Sequence, residues 1–341
     1  MKILSLFDGI SCAKLALDRA KIPVEKYYAS EIDPYAIAIS KENNPDIVQL
    51  GDVKDVIGLL DNDYMLANPF EERRMLVSIT DRSSMTEKAY HDEIDLLIGG
   101  SPCQDLSIAK KNREGLKGSR SSLFWEYVRI LKEVKPKYFI LENVNSMKNE
   151  DKNIITETLG VEPIMINASL VSAQNRKRLF WTNIPGVTLP EDRGVVLKDV
   201  LENGICDRDK SLCIDANYHK GASWDHYKKK GVRQLIRVGH FNKGGQGDRI
   251  YSPEGKSVSL SANGGGRGAK TGLYKVGEKV RKLTPTECER LQGVPDNYTL
   301  VQHPKLKGMM SDTQRYKVLG NAFNVDVVAH ILSFIPITNN S

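Results

Sequence analysis

A cysteine directly after a short apolar run is a candidate nucleophile, because ligands of open α/β sheets bind beyond the carboxyl ends of buried parallel strands. Ile94-Asp95-Leu96-Leu97-Ile98-Gly99-Gly100-Ser101-Pro102-Cys103-Gln104 has this form. The attacking species is a thiolate, which a nearby cation or helix amino terminus stabilises. Two further groups stand at comparable places. Glu142, in Glu142-Asn143-Val144, closes the apolar run from Lys137 to Leu141, where a carboxyl group can protonate a ring nitrogen. Arg176 and Arg178, in Gln174-Asn175-Arg176-Lys177-Arg178, occupy alternate positions. On an extended segment they point the same way and suit a carbonyl oxygen or a phosphate. Singly, each has a bland explanation, since buried cysteines are mostly inert and arginines often sit in surface ion pairs.

A second set lies at the ends of the first three apolar runs. Phe7-Asp8-Gly9-Ile10-Ser11 reads as a turn between strand and helix whose glycine lets backbone approach a ligand, although it lacks the three-glycine dinucleotide spacing. Glu31 follows the second run, where an acidic residue accepts hydrogen bonds from ribose hydroxyls. Asp52 follows the third and can meet an adenine amino group. Three ligand-suited groups at successive strand ends point to a nucleoside.

The elements needed to position these groups are legible as alternating patterns over residues 1–185. Strands are expected at Lys2 to Phe7, Lys26 to Ser30, Ile47 to Leu50, Ile94 to Ile98, Lys137 to Leu141, Ile164 to Leu170 and Arg178 to Thr182. Helices are expected at Cys12 to Ala20, Pro34 to Asn43, Leu123 to Val134 and Asn153 to Leu159. This is the signature of βαβ units around a largely parallel sheet, an α/β fold. Residues 61–93 are a charge-rich insertion, and Lys110 to Ser122 reads as a mobile loop beside Cys103.

From residue 186 to about 280 glycine, asparagine, serine and lysine dominate, the alternation stops, and a smaller second domain is expected. The division is 1–185, 186–310 and a terminal 311–341 segment whose helix, Val325 to Phe334, returns to the first domain. Residues 186–280 hold 17 Lys/Arg and 11 Asp/Glu, which accounts for the whole formal charge of +6. A localised basic surface favours a polyanion, most commonly nucleic acid.

Hydrophobic content of 40% is that of a soluble globular chain, and Met1 to Phe7 is too short for a signal peptide, so a cytoplasmic protein without a membrane segment is expected. Cys12, Cys103, Cys206, Cys213 and Cys288 are then free thiols. Cys206, Cys213, His219 and His226 are too widely spaced for a zinc finger, so no metal is expected. Pro102-Cys103 also lacks the partner cysteine of a zinc deaminase.

Five blocks in order resemble the DNA (cytosine-5)-methyltransferase family: Gly99 to Gln104, Glu142 to Val144, Gln174 to Arg178, Arg281 to Pro295 and Gly320-Asn321-Ala322-Phe323. The resemblance spans nearly the whole chain. It implies a Rossmann-like sheet that uses S-adenosyl-L-methionine, with a smaller target-recognition domain acting on double-stranded DNA. It implies Cys103 as nucleophile for cytosine C6, Glu142 at N3 and the exocyclic amine, and Arg176 with Arg178 on the base and nearby phosphate. Phe7, Asp8, Gly9, Ile10, Glu31, Ile32, Asp52, Val53, Leu123, Asn321 and Phe323 match cofactor-lining positions. Ser11 stands where the family usually has a second glycine, and Ser101 where it usually has proline. Both variants resemble the de novo animal branch. A monomer, with a cognate restriction endonuclease as a candidate partner, is the expected context. A tRNA cytosine-5 methyltransferase and a silent DNA-binding relative are the alternatives.

Overall fold

The computed structural model describes residues 1–56, 94–102, 123–202, 237–240, 249–251, 257, 273–276, 279–281 and 283–336. Cys103, the Lys110 loop, the 61–93 insertion and most of the basic segment lie outside the described residues.

The first half builds β1 (Lys2–Leu6), α1 (Cys12–Arg19), β2 (Lys26–Ser30), α2 (Pro34–Asn43), β3 (Val48–Gln49), β4 (Leu96–Gly99), α3 (Leu123–Val134) and β5 (Tyr138–Val144). It continues with α4 (Asn149–Leu159), β6 (Ile164–Asn167) and β7 (Lys177–Thr182). The seven strands form one sheet in the order β3-β2-β1-β4-β5-β7-β6. Contacts among β1 to β5 are parallel, and β7 runs antiparallel to both β5 and β6. Central strands buried on both faces need continuous apolar sequence. Leu4, Leu6, Leu96, Leu97 and Ile98 accordingly have 0% exposure. The reversal at β7 follows from chain length. Residues 168–176 are too few for the helical crossover that a parallel partner would need.

The basic segment contributes β8 (Arg237–His240), β9 (Arg249–Tyr251), β10 (Leu273–Val276) and β11 (Lys279–Arg281), a second sheet ordered β11-β10-β9-β8. Ser257 forms a parallel bridge with Gln174, at which Ser257 N donates to Ala173 O at 2.8 Å.

The chain ends in α5 (Pro285–Gln292), α6 (Asp312–Asn321) and α7 (Val325–Leu332). Thr284 caps α5 by accepting from Glu287 N, while the Glu287 carboxylate accepts from Thr284 N. Leu283, Cys288, Leu291, Val294 and Tyr298 share one core with Ile3, Ile10 and Ala13 of the first domain. These residues therefore pack with the large sheet, as do Leu197, Val200 and Tyr251. Helix α6 was not foreseen because its buried face carries a charge. Arg315, 5% exposed, pairs with the fully buried Glu289 at 3.1 Å and donates to Thr299 Oγ1 at 2.8 Å, which masks the apolar period of Tyr316, Val318 and Leu319.

Candidate active site

Two clusters face the carboxyl edge of the large sheet. The first forms where β5 and β7 meet. Register pairs Val144 with Arg178 and Glu142 with Phe180, so Glu142 and Arg178 stand one diagonal step apart on the same face. Arg178 Nε donates to Glu142 Oε1 at 2.8 Å, with the two side chains 18% and 14% exposed. The other carboxylate oxygen, Oε2, faces the end of β4. A Cβ on Gly100 would lie 3.0 Å from it and 2.8 Å from Phe323 Cε1, so only glycine lets the backbone after β4 pass this close. Asn143 Nδ2 donates to Ser101 Oγ at 3.1 Å and to Ser101 O at 3.3 Å, tying the segment that leads to Cys103 onto β5.

A pocket opens between these groups. Glu142, Arg176, Arg178 and Phe323 line it together with apolar atoms of Ile166, Phe180 and Val327. It is shallow, with a cavity volume of about 10 Å³, room for little more than one water-sized group. The two arginines play different parts. Arg176 is 5% exposed, and its Nη2 donates to Gly320 O at 3.2 Å and Ala322 O at 3.0 Å. It thus clamps the turn that carries Phe323. Arg178 is the arginine in contact with the carboxylate.

The second cluster lines the cleft beyond β1, β2 and β3. Three residues of the β1–α1 turn have positive φ: Phe7 at 57°, Gly9 at 62° and Ser11 at 60°. Glu31 Oε2 accepts from Gly9 N, and Oε1 accepts from Ile32 N and Asp33 N, all at 2.8 Å. A carboxylate has about four acceptor positions, so capacity remains for a hydroxyl. Ile32 presents 69% of its surface, a flat apolar face beside that carboxylate. Asp52 uses Oδ1 for Lys54 N at 3.1 Å, while Val53 is buried at its side. Asn321 is exposed at the end of α6, and Leu123 is half-buried at the start of α3. Asp8 departs from the rest, because its carboxylate turns inward. It accepts from Tyr27 Oη at 2.6 Å and Ser11 Oγ at 2.5 Å, and burial pushes its pKa up to about 6.

Residues 55–336 match the model of the C-5 cytosine-specific DNA methylase. The chain belongs to this family. The methylase is 29% identical to the type II methyltransferase M.HhaI of Haemophilus parahaemolyticus, across 97% of this chain and 93% of that one. It is 30% identical to M.HpaII of Haemophilus parainfluenzae over 70% of each. Among solved structures, a putative DNA modification methyltransferase from an E. coli prophage shares the fold with a TM-score of 0.61 at 19% identity, covering 98% of both chains. The S. pombe Dnmt2 methyltransferase does so at 0.56 and 18%, covering 98% of this chain and 97% of that one. The reaction class is that of the family, methyl transfer to C5 of cytosine in DNA.

The structure gathers Glu142, Arg176, Arg178 and Phe323 around one pocket. It groups Gly9, Glu31 and Ile32 at the cleft, next to Phe7, Asp8 and Ile10 of the same turn. Sequence reasoning missed Asn143 as the tie to Ser101 and Tyr27 as a partner of Asp8. Asn143 adjoins Glu142 and was open to inspection, whereas Tyr27 sits in mid-strand and carries no local signal. Among the described residues no helix is long and apolar enough to cross a membrane.

Proposed function

We propose that the enzyme methylates C5 of a flipped cytosine in duplex DNA through a transient bond between Cys103 Sγ and C6, with S-adenosyl-L-methionine as methyl donor. The observation that carries this reading is the Glu142–Arg178 pair at 2.8 Å, set against Gly100 at the segment leading to Cys103. Cytosine C5 is too weakly nucleophilic to be alkylated unaided. Addition of the Cys103 thiolate to C6, with a proton passing from Glu142 to N3, places electron density on C5. Arg178 holds Glu142 in line and offers its remaining N–H groups to the base. Once C5 has accepted the methyl group, loss of the C5 proton, expulsion of the Cys103 thiolate and return of the N3 proton to Glu142 complete the turnover.

The cleft suits an adenosyl group: Glu31 keeps acceptor capacity for ribose, Asp52 can accept from an amino group, and exposed Ile32 offers an apolar face for a flat ring. Phe7 to Ile10, Val53, Leu123, Asn321 and Phe323 complete it. When bound, the donor supplies a sulfonium methyl. Residues within 186–310 serve as the target-recognition unit, where the basic excess of 186–280 supports phosphate contacts that weaken as salt rises. Flipping the target out of the stack costs a few kcal/mol, which these contacts offset. The enzyme acts as a monomer in the cytoplasm, and a cognate restriction endonuclease is a candidate partner.

A duplex carrying 5-fluorocytosine tests the reading. The wild type is expected to form a denaturation-resistant adduct and Cys103→Ser to form none. Specific duplex binding without an adduct, or an adduct on RNA alone, would overturn it. Bisulfite sequencing of plasmid from an expressing host then reads the recognised sequence.

A further inference from the structure

Beneath the donor cleft runs a buried chain of hydrogen bonds. Gln49 Nε2 donates to Ser40 Oγ at 3.1 Å, Ser40 and Ser11 hydroxyls meet at 2.7 Å, and Ser11 Oγ donates to Asp8 Oδ2 at 2.5 Å. Tyr27 Oη donates to the other Asp8 oxygen at 2.6 Å. Ser11 and Ser40 are 0% exposed, Tyr27 1% and Asp8 4%. A hydroxyl has one proton to give. Ser11 gives its own to Asp8, so Ser40 must donate to Ser11, and Gln49 supplies Ser40. Every step points toward the Asp8 carboxylate, an arrangement in which successive hydrogen bonds polarise one another.

The chain joins β3, α2, the β1–α1 turn and β2, the same elements that present Asp52, Glu31 and Gly9 to the cleft. Ser11 is its centre and sits at φ 60°, ψ 38°, a left-handed conformation that serine adopts only at a cost. Its hydroxyl makes no helix-capping bond. Glycine would fit this backbone more easily, so the hydroxyl is what serine adds.

We propose that Ser11 is a positioning residue for the methyl donor, acting through Asp8 and Ser40 to hold the Phe7–Gly9 turn against Glu31. The proposal rests on the reading of this cleft as the donor site. Acting through backbone placement, Ser11 sets donor affinity and leaves the chemistry at Glu142 untouched.

Calorimetric binding of S-adenosyl-L-homocysteine to the full chain without DNA, together with thermal melting, tests it. Ser11→Gly removes the hydroxyl and relieves the backbone, so its melting temperature should stay near wild type while affinity falls about tenfold, the equivalent of one buried hydrogen bond. Ser40→Ala should weaken binding roughly threefold, and the double variant should bind no more weakly than Ser11→Gly, since both changes break one chain. In steady state the loss should appear in KM for the donor with kcat nearly unchanged. Wild-type affinity in Ser11→Gly, or a fall in kcat at constant donor KM, would overturn the proposal. Failure of the wild type itself to bind S-adenosyl-L-homocysteine would instead overturn the assignment of the cleft.

Discussion

The pocket at β5 and β7 and the cleft at β1 to β3 solve the problem of holding polar groups in opposite ways. In the pocket, Glu142 and Arg178 are bonded to each other and remain partly exposed, each keeping atoms for a ligand. In the cleft, Asp8 and Ser11 are buried and spend their bonding capacity on protein partners, while backbone shape and Glu31 face outward. A group that must exchange protons with substrate has to stay accessible. A group that only shapes a binding surface is better locked.

The strongest test of this contrast is Glu142→Gln. It keeps the shape and removes the transferable proton, and single-turnover methylation should slow by about 10²- to 10⁴-fold while duplex binding, measured by filter retention, stays within a few fold. Loss of binding in parallel would make Glu142 a structural anchor. Gly100→Ala comes next. Its Cβ would meet Phe323 Cε1 at 2.8 Å and Glu142 Oε2 at 3.0 Å, so transfer should fall about a hundredfold through displacement of the carboxylate.

The two arginines sharpen the contrast within the pocket itself. Arg176→Met strips a donor from the carbonyls of Gly320 and Ala322 and should lower unfolding free energy by about 1–3 kcal/mol in urea titrations. Arg178→Ala should leave the urea midpoint nearly unchanged and slow catalysis. Interchanged outcomes would break the assignment.

Asp8→Asn probes the locked cleft through pH. The native pKa is raised from 3.8 to about 6, with burial as the leading cause. Between these values the folded state holds a proton that the unfolded chain has released. Stability from this group therefore falls as pH rises through that window, by an amount of the order of 3 kcal/mol. The asparagine variant should show a flatter stability profile from pH 4 to 6.5, and an unchanged slope would mean that Asp8 is not the titrating group.

Much of the first domain was readable because buried parallel strands and amphipathic helices write their periods into the chain. Strand β2 and helix α2 fall where expected. Helix α4 begins at Asn149, earlier than its apolar period suggests, because Glu150 and Asp151 in the first turn favour its positive end. Helix α6 escaped detection because an ion pair, Arg315 with Glu289, occupies its buried face. Composition marks where the alternation stops but says nothing about where α5 packs, which is against the core that holds Ile3 and Ile10.

Residue types and their order along the chain determined the chemistry at hand: a thiol, a carboxyl group and two arginines after strand-like runs, with the basic excess confined to one segment. Only the tertiary structure decided which arginine meets the carboxylate and which braces a turn, and that Asp8 faces the core. Such choices depend on distances between residues far apart in the chain. Arg176 and Ala322 meet through packing of the terminal helices on the sheet, a long-range contact that local sequence does not encode.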